Sequence, residues 1–417
     1  MSGIRTGLKR GIVWQNWGEN QVFSPAQYAE PSNEAELLAV VRRAIAEGLS
    51  VRVAGTGHSS TPLVQTGGLL LSLKHLSGVT GTDVTRRRAR ALAGTPISAF
   101  GDALWEAGLA LSNQGDIDKQ TIAGAIATGT HGSGSGLASF SAAVRYVRLI
   151  DGNGDVVEIG EDDLDVLRAA QVSLGSLGVV IEVELEVSPK YHLRETITYP
   201  HVDELISGWD VNPDAHRHFS FLWCPTDGGA ELFELPTPAG RPMADRAYTK
   251  VYDLAEIREP EGIDTTEGHR ADRSYRIYPD GFGRIFNELE YFVPREQGLD
   301  AFREIRELIH RKYPNETYPV EVRWVAADDA YLSQQYERDN TVITITVTAG
   351  TDYWGYLSDV DAVLQPYNAR PHWGKLHFTT RARMEQMFPE LDRFIGIRKQ
   401  FDPRGLFLND HLRPLLG

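Results

Sequence analysis

The chain has 417 residues, too many for one ordinary core, and its 41% apolar and 24% charged content is that of a globular protein of two domains. A formal net charge of −15 repels phosphate backbones and anionic headgroups, which excludes nucleic acid and membrane surfaces as general partners. With Cys224 the only cysteine, there is no internal disulfide framework and no cysteine cage for a metal, and no metal site is expected.

The first residues, MSGIRTGLKRGIVWQNW, lack the continuous apolar core of a signal peptide, and no apolar run is long enough to span a membrane. The expectation is a cytoplasmic, monomeric enzyme. Asn33, three residues before Glu36, predicts a capping-box start. Leu37, Val40, Val41, Ala44 and Ile45 then follow at helical spacing, with Gly48 as the stop. Residues 51–54 read as a strand and 69–73 as a buried strand, with the loop Gly55-Thr56-Gly57-His58-Ser59-Ser60 after the first. Glycines there let backbone N–H groups converge into a nest for an anionic diphosphate. The loop is not the dinucleotide fingerprint, because no third glycine and no helical period follow. By itself a histidine beside glycines is an ordinary polar loop residue.

A strand over 89–92 leads to Gly94-Thr95-Pro96, where Thr95 is predicted to cap a helix that starts at Pro96. Residues 113–136 mix glycines with hydroxyls, as close backbone approach to a large planar or phosphorylated ligand requires; Ile117, Ile122 and Ile126 are anchors that a free linker would not need. Strands are expected at 144–150, 156–159 and 179–187. After Pro189 aromatics, prolines and charges increase, which marks a second domain of mixed helix and antiparallel sheet, with strands at 218–223, 320–325 and 342–347 and a helix near 299–310. The predicted division is 1–188, 189–370, and a segment 371–417 that returns to the first domain.

In Val320–Val325, alternation puts Glu321 and Arg323 on one face, and Thr344, Thr346 and Thr348 share a face of theirs. Periodicity leaves open whether those faces meet solvent or a cavity. His372-Trp373-Gly374-Lys375 is a second cluster of chemically capable groups.

Taken in order, GTGHSS (55–60), NQGDIDKQTIAGAIATGTHGSG (113–134), SLGSLGVV (173–180), EVRWVAADD (321–329), PHWGK (371–375) and FDPRGLFLN (401–409) resemble the vanillyl-alcohol oxidase flavoprotein family, in its alditol oxidase and aldonolactone (gulonolactone, arabinonolactone) oxidase branch. The resemblance implies an α+β, two-domain fold: an FAD-binding domain of the PCMH type with a substrate cap. It implies FAD held covalently by the imidazole of His58, with cofactor contacts from Gly55, Thr56, Gly57 and Ser59 in the first loop. From the second segment it implies contacts from Gly115, Asp116, Thr121, Gly124, Thr128, Gly129, Thr130 and His131. Val180, Thr346 and His372 complete the set.

By the same resemblance Lys375, Glu321 and Arg323 are the catalytic and substrate-binding groups, with Asp116 and Thr344 beside the substrate. The implied reaction is hydride transfer from an alcohol carbon to the flavin, in which Lys375 stabilises the alkoxide or, with a depressed pKa, accepts the proton. Dioxygen then reoxidises the flavin to give hydrogen peroxide. Gly115 stands where this family gates oxygen, and dehydrogenases that use quinone or cytochrome acceptors tend to carry alanine there. Alditol oxidases have serine in place of Asp116 and histidine in place of Thr344, so alditols, sugar lactones, free sugars and nucleosides all stay open as the small polyhydroxylated substrate.

Overall fold

The computed structural model describes residues 8–238, 240–281 and 283–417. The first seven residues, on which part of the reading of the chain's start rests, lie outside the described residues.

The helix Glu34–Ala46 buries Leu37, Val40, Val41, Ala44 and Ile45, as its spacing predicts. Asn33 Oδ1 accepts from Glu36 N at 3.0 Å, but the Glu36 carboxylate accepts from Ser32 N rather than Asn33, so half of the expected capping box is displaced by one residue. The helix packs on a parallel three-stranded sheet in the order Gln27–Ala29, Leu69–Ser72, Val51–Ala54. An antiparallel five-stranded sheet follows, in the order Val156–Ile159, Val144–Ile150, Val179–Glu186, Arg88–Leu92, Val79–Asp83.

One local expectation is corrected. Thr95 does not cap: its hydroxyl is held by Leu92 O and accepts from Gly78 N, and the α-helix begins only at Phe100 after a 3-10 turn at Ile97–Ala99. Within the glycine- and threonine-rich segment, Ile122–Thr128 is helical and buries Ile122, Ala125 and Ile126, so the anchors expected there do find a core.

The chain's end packs into the same cores. Met384, Met387, Leu391 and Phe394 join a cluster with Val147, Leu149, Val183 and Leu185. One buried cation ties the parts together: Arg52 donates to the carbonyls of Leu63 (2.7 Å), Leu174 (2.7 Å), Gly175 (3.1 Å) and Phe407 (2.5 Å). Burial lowers its pKa to about 10, and carbonyl dipoles rather than a carboxylate hold it. The motif at 401–409 works from the other side. The Asp402 carboxylate accepts from Leu406 N and Phe407 N, and Asn409 Nδ2 donates to the carbonyls of Pro62, Leu63 and Gln65.

An antiparallel eight-stranded sheet accounts for most of the remainder, in the order Ala271–Arg273, His192–Thr198, Arg246–Ala255, His218–Cys224, Val320–Val325, Asn340–Thr348, Phe286–Pro294, Arg370–Pro371. Its two faces differ because side chains alternate along each strand. Phe219, Phe221, Val322, Trp324, Ile343, Ile345, Leu289 and Tyr291 pack on the helices Gly298–Lys312 and Trp354–Leu364. The opposite face carries Lys250, Glu321, Arg323, Thr344, Thr346, Glu288 and Glu290. It is this face that looks toward the first loop. Among the described residues no helix is long and apolar enough to cross a membrane.

Because Arg52→Ala leaves the carbonyls of Leu174, Gly175 and Phe407 without a donor, we expect a loss of about 3–5 kcal/mol. Thermal unfolding should show a fall in melting temperature of at least about 5 °C; an unchanged melt would mean the guanidinium is not the tie it looks to be.

Candidate active site

One cavity of about 410 Å³ lies between the first loop and the polar face of the large sheet. Gly55, Thr56, Gly57, His58 and Ser59 form one wall, and Gly115, Asp116, Thr121, Gly124, Thr128, Thr130 and His131 a second. Val180, His372, Glu321, Arg323 and Lys375 line it as well. Gly129, Thr344 and Thr346 do not. Gly129 ends its helix in the left-handed region, and a Cβ there would meet Gln334 Oε1 at 2.2 Å. Thr344 donates to Glu290 Oε2 at 2.7 Å and Thr346 faces Glu288 at 3.5 Å, so both stand behind the lining.

His58 and Lys375 come from opposite ends of the chain, and a short bond joins their segments, from Ser60 N to Gly374 O at 2.7 Å. Thr61 Oγ1 donates to Trp373 O at 2.9 Å beside it. Among the described residues, no acceptor meets the backbone N–H groups of Thr56, Gly57, His58 and Ser59. Gly57 (φ +78) lets them turn together, and the loop lines the cavity. Buried Gln120 Oε1, on the same lining, also has no partner among the described residues. Unclaimed donors in a glycine bend are what an anionic dinucleotide needs, so the residues present fit FAD.

The opposite wall is a charge network that sequence reasoning only partly found. Arg323 binds Asp116 Oδ2 at 3.0 Å, Glu290 Oε2 at closer range, and Glu321 Oε2 at 3.4 Å. Lys375 binds Glu288, and Glu290 at 3.4 Å. Lys250 binds Asp116 Oδ1 at 2.7 Å and Asp280 at 2.5 Å. Strand register explains the order: Lys250 faces Ser220, which faces Arg323, while Leu222, Glu321, Thr344 and Glu290 make a neighbouring row. Glu288, Glu290, Lys250 and Asp280 were not singled out from sequence. The alternation Asn287-Glu288-Leu289-Glu290-Tyr291 carried a usable signal for the two glutamates; Asp280 lies in irregular chain with none.

These pairings set the proton states. Burial acts against charge on Glu290, yet Lys375, Arg323 and His131 hold its pKa well below the carboxylate range. Burial acts against the Lys375 cation too, but Glu288 and Glu290 raise its pKa. That corrects the expectation that a depressed Lys375 could take the substrate proton: it stays an ammonium and donates. Glu321 goes the other way. Desolvation raises its pKa, and despite Arg323 it reaches about 7. Burial lowers His58, with Lys375 adding to the effect, so its imidazole is neutral, and burial lowers His372 to about 3. Asp116 is fully engaged by Lys250 and Arg323, so it positions Arg323 rather than offering a free oxygen.

His131, Glu290 and His372 place ligand-type atoms within 4.8 Å of one another. The Glu290 oxygens are already bonded to His131, Arg323 and Thr344, and His372 Nδ1 accepts from Gly374 N at 3.0 Å. The Glu290 carboxylate is thus already taken up by protein donors.

Set against known proteins, the architecture is the two-domain FAD-binding fold of the vanillyl-alcohol oxidase class: cholesterol oxidase from Brevibacterium sterolicum superposes with a TM-score of 0.83 at 14% identity, over 97% of this chain and 96% of that one. Residues 25–160 match the profile described as FAD binding domain, and residues 261–415 that of D-arabinono-1,4-lactone oxidase. L-gulono-1,4-lactone dehydrogenase of Mycobacterium tuberculosis is 32% identical over 97% of this chain and 99% of its own. L-gulonolactone oxidase of Mus musculus (28%, 97% and 98%) and alditol oxidase of a Streptomyces species (28%, 96% and 98%) are similar along their whole length. The chain belongs to the vanillyl-alcohol oxidase flavoprotein family, in its aldonolactone oxidase branch. It is an FAD-dependent oxidoreductase.

Removing the charge that holds two cations should be costly: Glu290→Gln is expected to lower kcat/KM about a hundredfold. Steady-state kinetics together with a melt would show it, and near-normal turnover would mean Arg323 and Lys375 are held by other groups.

Proposed function

We propose that this cavity holds FAD covalently through His58 and oxidises a hydroxyl of a sugar lactone or related polyol, with dioxygen as the final acceptor. The observation that carries it is the convergence of His58, Lys375, Arg323 and Glu321 on one cavity from four separate stretches of chain. In this reading 1–188 and 371–417 form the FAD-binding unit and 189–370 the cap. When bound, the flavin supplies the acceptor for a hydride and hands the electrons on to dioxygen.

The protein's own groups do the rest. Arg323, fixed by Asp116 and Glu290, orients the substrate hydroxyls and makes the transfer effectively intramolecular. Lys375 donates to the substrate oxygen as negative charge develops on it. Glu321, with a pKa of about 7, is ionised enough near neutrality to accept the hydroxyl proton. The two departures from alditol oxidases, Asp116 and Thr344, both point into the ion network rather than the cavity centre. They alter the network that holds Arg323, and the preference for a cyclic lactone over a linear alditol is supported by the lactones named for the more similar enzymes.

Gly115 supports the oxidase reading over a quinone- or cytochrome-linked dehydrogenase. It lines the cavity, and a Cβ there would lie 3.4 Å from Ile117 O and from the Phe140 ring, so alanine fits and glycine is not forced by packing.

Acid-precipitated protein should stay yellow and His58→Ala protein should not, and aldonolactones should release hydrogen peroxide in air. Peroxide from none among lactones, alditols, sugars and nucleosides would remove the substrate reading. A base must be deprotonated, so kcat/KM should rise with pH through about 7 as Glu321 ionises. Glu321→Gln should abolish that limb while the flavin stays bound; an unchanged profile would assign the base elsewhere.

A further inference from the structure

We propose that the N-terminal hairpin, Trp14–Gln15 paired with Val22–Phe23, aligns His58 for attachment to the flavin, with Trp17 and Asn20 as positioning residues. The inference rests on the reading of His58 as the flavin-bearing residue.

His58 lies in a loop without regular structure, and among the described residues no hydrogen bond orients its imidazole. Its ring contact is Trp17, with centroids 5.0 Å apart and planes inclined by 33°. Three backbone carbonyls beside it, those of Gly57, Ser59 and Ser60, are held from the hairpin. Trp17 N donates to Gly57 O at 2.8 Å and Asn16 Nδ2 to Ser59 O at 2.9 Å. Asn20 Nδ2 and Gln21 Nε2 both donate to Ser60 O, at 2.8 and 2.9 Å.

The hairpin is braced before it meets the loop. Asn16 Oδ1 accepts from Gln21 N at 2.9 Å, and Asn16 Nδ2 donates to Asn20 Oδ1 at 2.8 Å. It is anchored on its far side as well, where Asn287 Nδ2 donates to Gly18 O at 3.2 Å and Phe286 packs edge-on against Trp17. Gly18 leaves no room for slippage, because a Cβ there would come within 2.6 Å of Asn287 Oδ1. The strand that begins at Phe286 also carries Glu288 and Glu290. The hairpin thus spans the flavin-attachment loop and the substrate wall, and sets their separation.

Attachment joins an imidazole nitrogen to a methyl carbon of the flavin's dimethylated ring. One hydrogen leaves that methyl and one the imidazole N–H; their electrons reduce the flavin, and dioxygen takes up both hydrogens as hydrogen peroxide. Such a bond forms fast only if the nitrogen is aimed at the carbon, and a side chain with no hydrogen bond of its own takes its aim from backbone and ring packing.

The experiment compares total bound flavin in the native protein with flavin retained in the acid-precipitated pellet, for wild type, Trp17→Ala, Trp17→Phe, Asn20→Asp and Gln15→Ala, each with added FAD. Gln15 is exposed on the same hairpin and should behave as wild type. Trp17→Ala and Asn20→Asp should bind similar total flavin with a covalent fraction lower by about fivefold or more, and Trp17→Phe should recover most of it. Full covalent flavin in Trp17→Ala and Asn20→Asp would overturn the proposal. So would loss of all flavin from both, which would mark collapse of the site. A colourless wild-type pellet would instead refute the covalent reading of His58, an outcome separate from either.

Discussion

Arg323 is a cation taken out of water at the centre of the molecule, 6% exposed, and it is kept there by carboxylates from separate elements. Glu290 and Glu321 come from its own sheet, but Asp116 comes from the glycine-rich segment on the facing unit. An uncompensated buried charge would cost several kcal/mol, so the two units must meet for the network to close. Lys250 repeats the device, since it binds Asp116 from Arg323's own row, two strands away, and Asp280 N donates to Asp116 O at 2.8 Å. The cavity exists where it does because this charge balance requires both walls.

The same balance separates the roles of two carboxylates on one row. Glu290 sits against Arg323, Lys375 and His131 and is held as an anion. Glu321 is likewise desolvated but has Arg323 alone as a close cation, so its pKa rises instead. Environments that push like groups in opposite directions are how one site holds a fixed counter-ion and a titratable base together. Glu290 keeps Lys375 and Arg323 charged, and Glu321 is left free to exchange a proton.

Much of this was legible in the sequence where chemistry is local. The helix at 34–46 follows from periodicity and buries the residues its spacing selects, and strands form at 51–54, 144–150 and 320–325 where the sequence places them. Thr95-Pro96 misled because a hydroxyl before a proline is a good cap in isolation, whereas here the Leu92 carbonyl and Gly78 N–H claim it. The helix at Ile122–Thr128 was hidden by glycine and threonine, whose low propensity is overridden once Ile122, Ala125 and Ile126 find a core. The first loop and His372, Gly374 and Lys375 line one cavity, a proximity that a motif order spread along a whole chain suggests more strongly than any one motif does.

By itself the sequence determined the type of cofactor pocket, the two-faced strands and the identity of His58, Arg323, Glu321 and Lys375 as groups worth watching, because these depend on a family resemblance carried by motifs in order along the chain and on alternation along one strand. Only the tertiary structure decided which charge faces which. That Lys375 is an ammonium clamped by Glu288 and Glu290, that Asp116 is consumed by Lys250 and Arg323, and that Glu321 is the group left to titrate all depend on the register between strands far apart in the chain. Cross-strand register and desolvation are properties of the assembled core, and no periodicity within a single segment records them.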